Sequence, residues 1–320
     1  MIAQVNAPEP ATAWVPDPAP RPAHAGQRPA RTPERYLRYI LVLPAVIAVA
    51  ATAFGPLAYS AMLAFRDWRL TRSPRPGAFV GADNFLRAFE SSDFIRALLN
   101  TVIFVGLTVT LTTVLALCLA LLLQRGGPLR RTVQALLILP FAMSPALVGI
   151  SWRFMLNPEF GLLASAFETV FPPLAGVNWL ATPLLAFSAM VMADVWAWTP
   201  FMTLILIGGL ASLPTETVEA GQVDGAPGWR VVVDIVIPQL KPVLVVVLIL
   251  KTIFAVKAFD LIFMLTQGGP GRTTETLTYF SYVTGFSYYD MGYASAASWV
   301  MVLPMLLLTV LYARFVLRTR

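Results

Sequence analysis

The side chains that could carry covalent or metal chemistry are few in this chain. It contains one histidine, His24, and one cysteine, Cys118, so a Ser-His-Asp arrangement or a cluster of thiol metal ligands lacks material. Its three lysines lie outside any Gly-x-x-x-x-Gly-Lys-Ser/Thr segment, the motif that holds nucleotide phosphates. Ionisable residues instead interrupt apolar runs, as at Asp194, Lys257 and Asp260. We therefore expect no catalytic residue, no metal and no cofactor, and side chains that can line a polar path.

Aromatic and hydroxyl side chains surround the first of these carboxylates. Asp194 is followed by Trp196, Trp198, Thr199 and Thr203. Together they could offer hydrogen-bonding groups and stacking faces to a polar ligand. Tryptophan is also common where a helix meets the membrane–water interface, and that alternative stays open for each ring. The spacings of four and five between Asp194, Trp198 and Thr203 predict one broad helix face for the three.

Lys257 and Asp260 form the second candidate group. They are three residues apart, and on a helix this spacing places two side chains on one face, where they can pair. An ionisable group inside a membrane span is costly and usually faces protein or water. The two residues could therefore line or gate the polar path, or they could form a structural contact to a second membrane subunit.

The elements that would position these residues are membrane-spanning helices. The chain is 57% hydrophobic and 12% charged, against about 25% charged residues in soluble domains, which excludes a water-soluble enzyme. Its basic residues sit at the ends of apolar runs rather than among aromatics on one domain, so nucleic-acid binding is not indicated. Six runs are long enough to cross about 30 Å of hydrocarbon as helices. They are 39–65, 97–123, 133–156, 182–210, 242–265 and 291–313.

The charge pattern predicts the domain organisation and the orientation. Residues 1–35, rich in Pro, Ala and Arg, predict a disordered cytoplasmic tail, and residues 36–320 predict a six-helix domain. With the N-terminus inside, the inner segments hold thirteen basic residues and the outer segments seven. This asymmetry favours cytoplasmic N- and C-termini. The predicted outer loop 66–96, with six arginines, runs against the rule.

One hydrophilic segment, 211–242, separates the fourth and fifth spans. Pro214 suits the first turn of an acidic helix, and Gly225 can end that helix. A second helix is predicted to begin near Pro227 and to end at Pro238. Such a compact helix-turn-helix, joined rigidly to two spans, would transmit a partner's push to both. An ordinary amphipathic hairpin at the membrane surface is the alternative.

The segment contains, in order, the short motifs Glu219-Ala220-Gly221, Asp224-Gly225-Ala226 and Ile237-Pro238. This order resembles the EAA coupling loop of permease subunits of ABC-type, binding-protein-dependent sugar importers. The similarity is to the first permease of maltose, trehalose and glycerol-3-phosphate systems. It extends over nearly all of residues 36–318, with further motifs at 80–85, 194–201 and 266–270. The family's Glu-Ala-Ala motif appears here as Glu219-Ala220-Gly221, so glycine replaces alanine at its third position. The resemblance assigns ATPase coupling to Glu219, Ala220, Gly221, Asp224, Gly225, Ala226 and Pro238.

The resemblance implies an all-α membrane protein with six transmembrane helices, the MetI-like ABC importer permease fold, in the bacterial cytoplasmic (inner) membrane. The implied partners are a second permease subunit, two copies of a P-loop ATPase that bind ATP and Mg, an extracytoplasmic solute-binding protein and membrane lipid. The chain itself would be a non-catalytic subunit for a sugar, a polyol or a sugar phosphate.

An ion-coupled secondary transporter is the rival interpretation. It would explain the charges at Asp194, Lys257 and Asp260, but it would not explain a hairpin between the fourth and fifth spans. Secondary transporters often show inverted repeats, and the two halves of this sequence show no convincing repeat.

Overall fold

The regular secondary structure is helical in the part that the structure, a computed structural model, describes: residues 33–124, 130–174 and 176–318. In these ranges no strand forms, only two isolated bridges. Of the predicted tail 1–35, residues 1–32 lie outside the described ranges, and the first helix already begins at Pro33. The described α-helices are α1 (Pro33–Val49), α2 (Gly55–Ala64), α3 (Asp83–Glu90), α4 (Ser92–Gln124), α5 (Arg130–Ala142), α6 (Pro145–Met155), α7 (Leu162–Val170), α8 (Pro183–Ala211), α9 (Thr215–Val223), α10 (Gly228–Arg230), α11 (Ile237–Val256), α12 (Asp260–Leu265), α13 (Leu277–Tyr282) and α14 (Met291–Arg318).

The chain divides into two compact units, Met1–Gly55 and Pro56–Arg320. In the first unit, α1 passes into a π-helical turn, Ala50–Phe54. The turn precedes Pro56, whose ring would clash in a regular α-helix with the carbonyl four residues earlier. A wider π-helical turn relieves such a clash, so the helical backbone continues past the proline.

Most of the predicted spans are helices with closely similar bounds. Of the described residues, four helices are long and apolar enough to cross a membrane: Tyr39–Ala64, Ser92–Gln124, Pro183–Ala211 and Gly228–Val256. The first three correspond to the predicted first, second and fourth spans. The sixth predicted span is covered by α14, whose apolar stretch in the described part is Met291–Leu307.

The third predicted span, 133–156, is broken in the structure. Its two pieces, α5 and α6, meet at a bend of 96°. Pro145 in the first turn of α6 cannot donate to the preceding turn, so the earlier helix cannot continue through it. Ser144 then caps α6 by accepting a hydrogen bond from the Leu147 amide at 3.3 Å. The sequence predicts a helical span over these residues but not the sharp bend that divides it into two helices.

The fifth predicted span, 242–265, is shifted along the chain. One helix runs continuously from Gly228 to Val256, and we call it the long helix. A π-helical turn, Val231–Val236, lies directly before Pro238 and relieves the clash that this proline would cause with the Asp234 carbonyl. Pro238 therefore lies within the long helix, and the prediction that a separate helix ends there is wrong.

α8 is the central helix of the second unit. Its buried residues belong to two apolar clusters, one shared with α6 and α12 and the other with α4 and the long helix. Where α6 meets α12, Gly149 permits the close approach, because a Cβ on it would lie 2.9 Å from the Leu261 carbonyl oxygen. This packing places α8 next to two breaks in the helical chain, one between α5 and α6 and one between α11 and α12.

Ion pairs join the two loops that the sequence predicts to lie outside the membrane. The Asp290 carboxylate lies 2.8 Å from Arg87 and 3.2 Å from Arg69, and Arg272 pairs with Asp93. Segments 66–96 and 266–290 therefore meet at one end of the second unit. Carboxylates match several of the arginines in the loop that runs against the orientation rule, which reduces its net positive charge.

Candidate functional site: a cavity and a hairpin

A cavity opens beside α8, where the break between α5 and α6 faces the end of the long helix. Its volume is about 320 Å³. Four of the residues predicted from the sequence to line a polar path border it: Asp194, Trp198, Lys257 and Asp260. The fold brings them together because the chain is interrupted twice at this level, between α5 and α6 and between α11 and α12.

Asp194 is paired beside this cavity with Lys251 of the long helix. The Lys251 ammonium donates a hydrogen bond to the Asp194 carboxylate, and both side chains are almost completely buried. Removing one partner of such a pair leaves an uncompensated buried charge, which is strongly destabilising. The pair therefore ties α8 to the long helix at the level of the cavity.

Aromatic rings form one wall of the cavity. Trp198 stacks on Phe254 with ring centroids 4.2 Å apart and meets the edge of Phe141 at 5.7 Å. The Lys251 ammonium lies 5.7 Å from the Trp198 ring centroid, within the range of a cation–π contact. Rings beside a few polar groups are the usual lining of a site for a small organic ligand.

The predicted common helix face of Lys257 and Asp260 is wrong. α11 ends with Lys257 as its C-cap, and α12 begins at Asp260. Between them, Phe259 has φ −129° and ψ −57°, outside the helical region, so the helical spacing does not apply. Both side chains still border the cavity.

The other three predicted path residues lie elsewhere on α8. Trp196 and Thr199 border a separate apolar groove of about 520 Å³ between α4, α5 and α8. Thr203 is fully buried, and its hydroxyl donates to the Thr199 carbonyl at 2.8 Å. The predicted common face with Trp198 is wrong for Thr203, because five residues turn a helix about 140° past a full turn.

The hairpin after α8 closes at Gly225, as the sequence predicts. Gly225 takes φ +76°, which residues with a Cβ rarely adopt. The Ala226 amide donates to the Gly221 carbonyl at 3.0 Å, and the Gly225 amide donates to the Gln222 carbonyl at 3.1 Å. This is the hydrogen-bond pattern of a Schellman cap. Pro214 is the N-cap of α9 rather than a first-turn residue.

The two arms of the hairpin are packed on each other through Gly221. This glycine is buried, and a Cβ on it would lie 2.7 Å from Cδ1 of Ile235 in the π-helical turn. The Gln239 amide also donates to the Thr217 hydroxyl at 3.1 Å. The close approach gives a physical reason for glycine at this motif position.

The outer face of the hairpin is exposed. Val223 and Trp229 are 87% and 64% exposed although both are apolar. Exposed apolar side chains beside exposed carboxylates form a surface that a partner can cover. The motif residues on this surface are Glu219, Ala220, Asp224, Gly225 and Pro238, whereas Ala226 is half-buried.

The sequence profile of one protein family covers both the cavity and the hairpin. The family is described as "Binding-protein-dependent transport system inner membrane component", and its profile matches residues 112–320. The chain belongs to this family. It is a permease, a membrane subunit of a transport system, as the motifs in the hairpin indicated.

Relatives and a solved structure agree with this assignment. The permease is 35% identical to the trehalose/maltose transport system permease protein MalF of Thermococcus litoralis over 285 residues, which are 88% of this chain and 94% of the relative. It is 31% identical to the sulfoquinovosyl glycerol transport system permease protein SmoG of Agrobacterium fabrum over 287 residues, 90% and 92% of the two chains. A bacterial alginate ABC transporter, solved in complex with an alginate pentasaccharide-bound periplasmic protein, contains a chain with the same fold. Its TM-score is 0.75 at 22% identity, with 87% of this chain and 93% of that chain covered. The predicted permease fold is confirmed.

Sequence reasoning did not assign Lys251 to the site. A signal existed, because a lysine inside an apolar run needs a partner and Asp194 lies in a neighbouring run. Phe141 and Phe254, the rings that contact Trp198, gave no such signal among many apolar residues.

Proposed function

We propose that the permease forms, with a second permease subunit, the membrane path of an ABC importer for a carbohydrate-type solute: a sugar, a polyol or a sugar phosphate. The observation that carries the proposal is the cavity, where Trp198 and Phe254 offer a stacking wall beside Asp194, Lys257 and Asp260. Aromatic faces can bind the apolar side of a sugar ring while polar groups bind its hydroxyls. The names of the two relatives, for trehalose/maltose and for sulfoquinovosyl glycerol, support this solute class.

In this proposal the permease catalyses no covalent step and binds no cofactor. Two copies of a separate P-loop ATPase bind ATP and Mg, and the hairpin receives their movement. Support comes from the exposed Glu219 and Asp224 and from the exposed rings and methyls of Val223 and Trp229. This mixed surface suits a partner that binds and releases it during each cycle.

An extracytoplasmic solute-binding protein would deliver the solute at the end formed by segments 66–96 and 266–290. The solved alginate transporter, which holds a periplasmic protein, supports such a partner. The hairpin and both termini would then lie in the cytoplasm, with the helices in the bacterial inner membrane. This orientation is the one that the distribution of basic residues favours.

The rival, an ion-coupled transporter, would need a membrane carboxylate that is available to a cation. Asp194 is already compensated by Lys251, so this carboxylate is poorly suited to carry a coupling ion.

The two mechanisms predict different energy sources. We expect uptake of radiolabelled trehalose or maltose by liposomes that contain the whole transporter and its binding protein. Uptake should require ATP and should survive the collapse of proton and sodium gradients.

The solute wall is tested by Trp198→Ala in the same assay. We expect uptake to fall while the binding protein still stimulates ATP hydrolysis, because the stacking face is lost and the hairpin is intact. Trp196→Ala is the matched control, since this ring is on the same helix but borders the other groove. If Trp198 only packs helices, emptying its site costs about 3–5 kcal/mol, and the mutant complex dissociates in detergent. That result, or equal uptake by both mutants, would contradict the proposal.

A further inference from the structure

A second groove shares one wall residue with the cavity. Phe259 borders both. The groove has a volume of about 460 Å³ and lies among residues of α2, α13 and α14. Apart from this ring, none of the residues considered so far for the solute path borders it.

Hydroxyl side chains are concentrated on the walls of this groove. Three of them donate their hydrogens to backbone carbonyls: Thr278 to Ala258 at 2.7 Å, Ser281 to Leu277 at 2.8 Å and Ser298 to Ala294 at 2.9 Å. A hydroxyl whose hydrogen is engaged keeps lone pairs that accept, and at Thr278 the Thr276 hydroxyl, 2.9 Å away, already donates to one of them. The groove is therefore rich in acceptors for a ligand that brings its own O–H donors. Among the described residues of its walls, the aliphatic hydroxyl groups belong to Ser60, Thr278, Ser281, Ser295 and Ser298, and Tyr282 adds a phenolic hydroxyl.

A row of rings faces the same space. Phe259 lies 5.0 Å from Tyr282, and Tyr282 lies 5.4 Å from Phe286, measured between ring centroids. Phe286 is 63% exposed. No charged side chain is among the described residues that line the groove. Rings beside hydroxyl acceptors, without charge, suit a neutral polyhydroxylated ligand better than an anion.

We propose that this groove is an approach subsite, which a neutral sugar or polyol moiety of the solute occupies before it passes Phe259 into the cavity. The inference rests on the proposed function and adds a second binding site to it. Phe259 belongs to the non-helical link between α11 and α12. The ring that both compartments share is therefore held by a short link, and a change in the backbone angles of this link can move it without unwinding a helix.

The groove is tested by filling it in the complete transporter. Ser298→Leu places an apolar side chain on the acceptor wall, and we expect trehalose or maltose uptake to fall about ten-fold, a typical effect of disturbing one contact in a binding pocket. The ATPase and the second permease should still co-purify in normal amounts. Ser165→Leu is the matched control. Its hydroxyl also donates to the carbonyl four residues back, Gly161 at 3.0 Å, but it does not border the groove, so uptake should be unchanged.

A second measurement detects occupancy directly. In a Cys118→Ser background, Ser281→Cys should react with a small water-soluble thiol reagent, and trehalose or maltose should slow this reaction. Normal uptake by Ser298→Leu overturns the proposal, as does loss of the second permease from that variant, which would make the groove a packing surface. Modification of Ser281→Cys that neither sugar slows, in a transporter that imports one of them, also overturns it. If a screen of sugars, polyols and sugar phosphates finds none that the unmutated transporter imports, the proposed function fails first and the subsite fails with it.

Discussion

Asp194 and Lys251 lie opposite each other on α8 and the long helix, and each makes the burial of the other possible. A charge removed from water costs several kcal/mol, and mutual attraction offsets this cost only when the partner is in contact. The lysine also lies over Trp198, so the pair helps to fix a ring of the cavity wall. Asp194, which the sequence predicts as a candidate solute ligand, therefore has a structural role as the partner of Lys251.

Exchange of the two charges tests this view of the pair. Asp194→Asn or Lys251→Met alone should destabilise the permease by about 3–5 kcal/mol, because one buried charge loses its partner. The double variant Asp194→Lys with Lys251→Asp should recover much of that loss. Thermal unfolding of the purified complex in detergent measures the effect. A double variant as unstable as either single one would show that the two side chains do not act as a pair.

Prolines set the bounds of the helices, but their effect depends on context. Pro145 ends a helix because Ser144 offers a new cap, whereas Pro238 is accommodated by the π-helical turn before it. Pro200 lies within α8 without a break. Apolar runs and short turn motifs predict most spans and the Gly225 turn, since these signals are local. The break in the third span and the extent of the long helix depend on packing and capping, which the sequence pattern does not contain.

The sequence predicted those residues of the candidate site whose side-chain type is unusual inside an apolar run. Charges and tryptophans inside apolar runs pointed to Asp194, Trp198, Lys257 and Asp260, and all four border the cavity. Thr203 was assigned to the helix face of Asp194 and Trp198, but the spacing of five residues from Trp198 turns it about 140° away from that ring. The hydroxyl groove escaped prediction because its hydroxyl residues come from three helices, and the packing that brings these helices together is not contained in the local sequence pattern.

The hairpin has two arms, α9 and the first turns of the long helix, and its shape depends on how these two helices pack on each other. Gly221→Leu should separate α9 from the long helix, since even a Cβ lies 2.7 Å from Ile235, and such overpacking costs about 1–3 kcal/mol. We expect co-purification of the ATPase and sugar uptake to fall together, while the permease stays in the membrane. Gly208→Leu is the control, because a Cβ at this helical glycine meets nothing within 4 Å. Equal losses in both variants would contradict a specific role for the arm-to-arm contact.

Ion pairs connect loops of the second unit that are far apart in the sequence. Asp93 with Arg272, and Arg69 and Arg87 with Asp290, join segments that are about 180–220 residues apart in the chain. Both segments must therefore lie on the same side of the membrane. The count of basic residues predicts that this side is outside the cell.

Single cysteines in a Cys118→Ser background test this orientation. Ser287→Cys should react with an impermeant thiol reagent in intact cells, because residue 287 is exposed in the loop expected outside. Gln222→Cys, exposed in the hairpin, should react only after the cells are opened. Reaction of residue 222 in intact cells would reverse the orientation.

The long helix has a mechanical consequence. Its 29 residues form one rod of about 43 Å at ~1.5 Å per residue. Gly228 and Trp229 stand at its hairpin end, and Lys251 stands on the same rod about 35 Å away, by the same rise per residue. No loop separates the hairpin from the salt bridge along this rod, and its regular backbone hydrogen bonding is altered at the π-helical turn Val231–Val236 and at Pro242. If the hairpin receives the ATPase movement, as we propose, the stiffness of these two positions would set how much of that movement reaches Asp194.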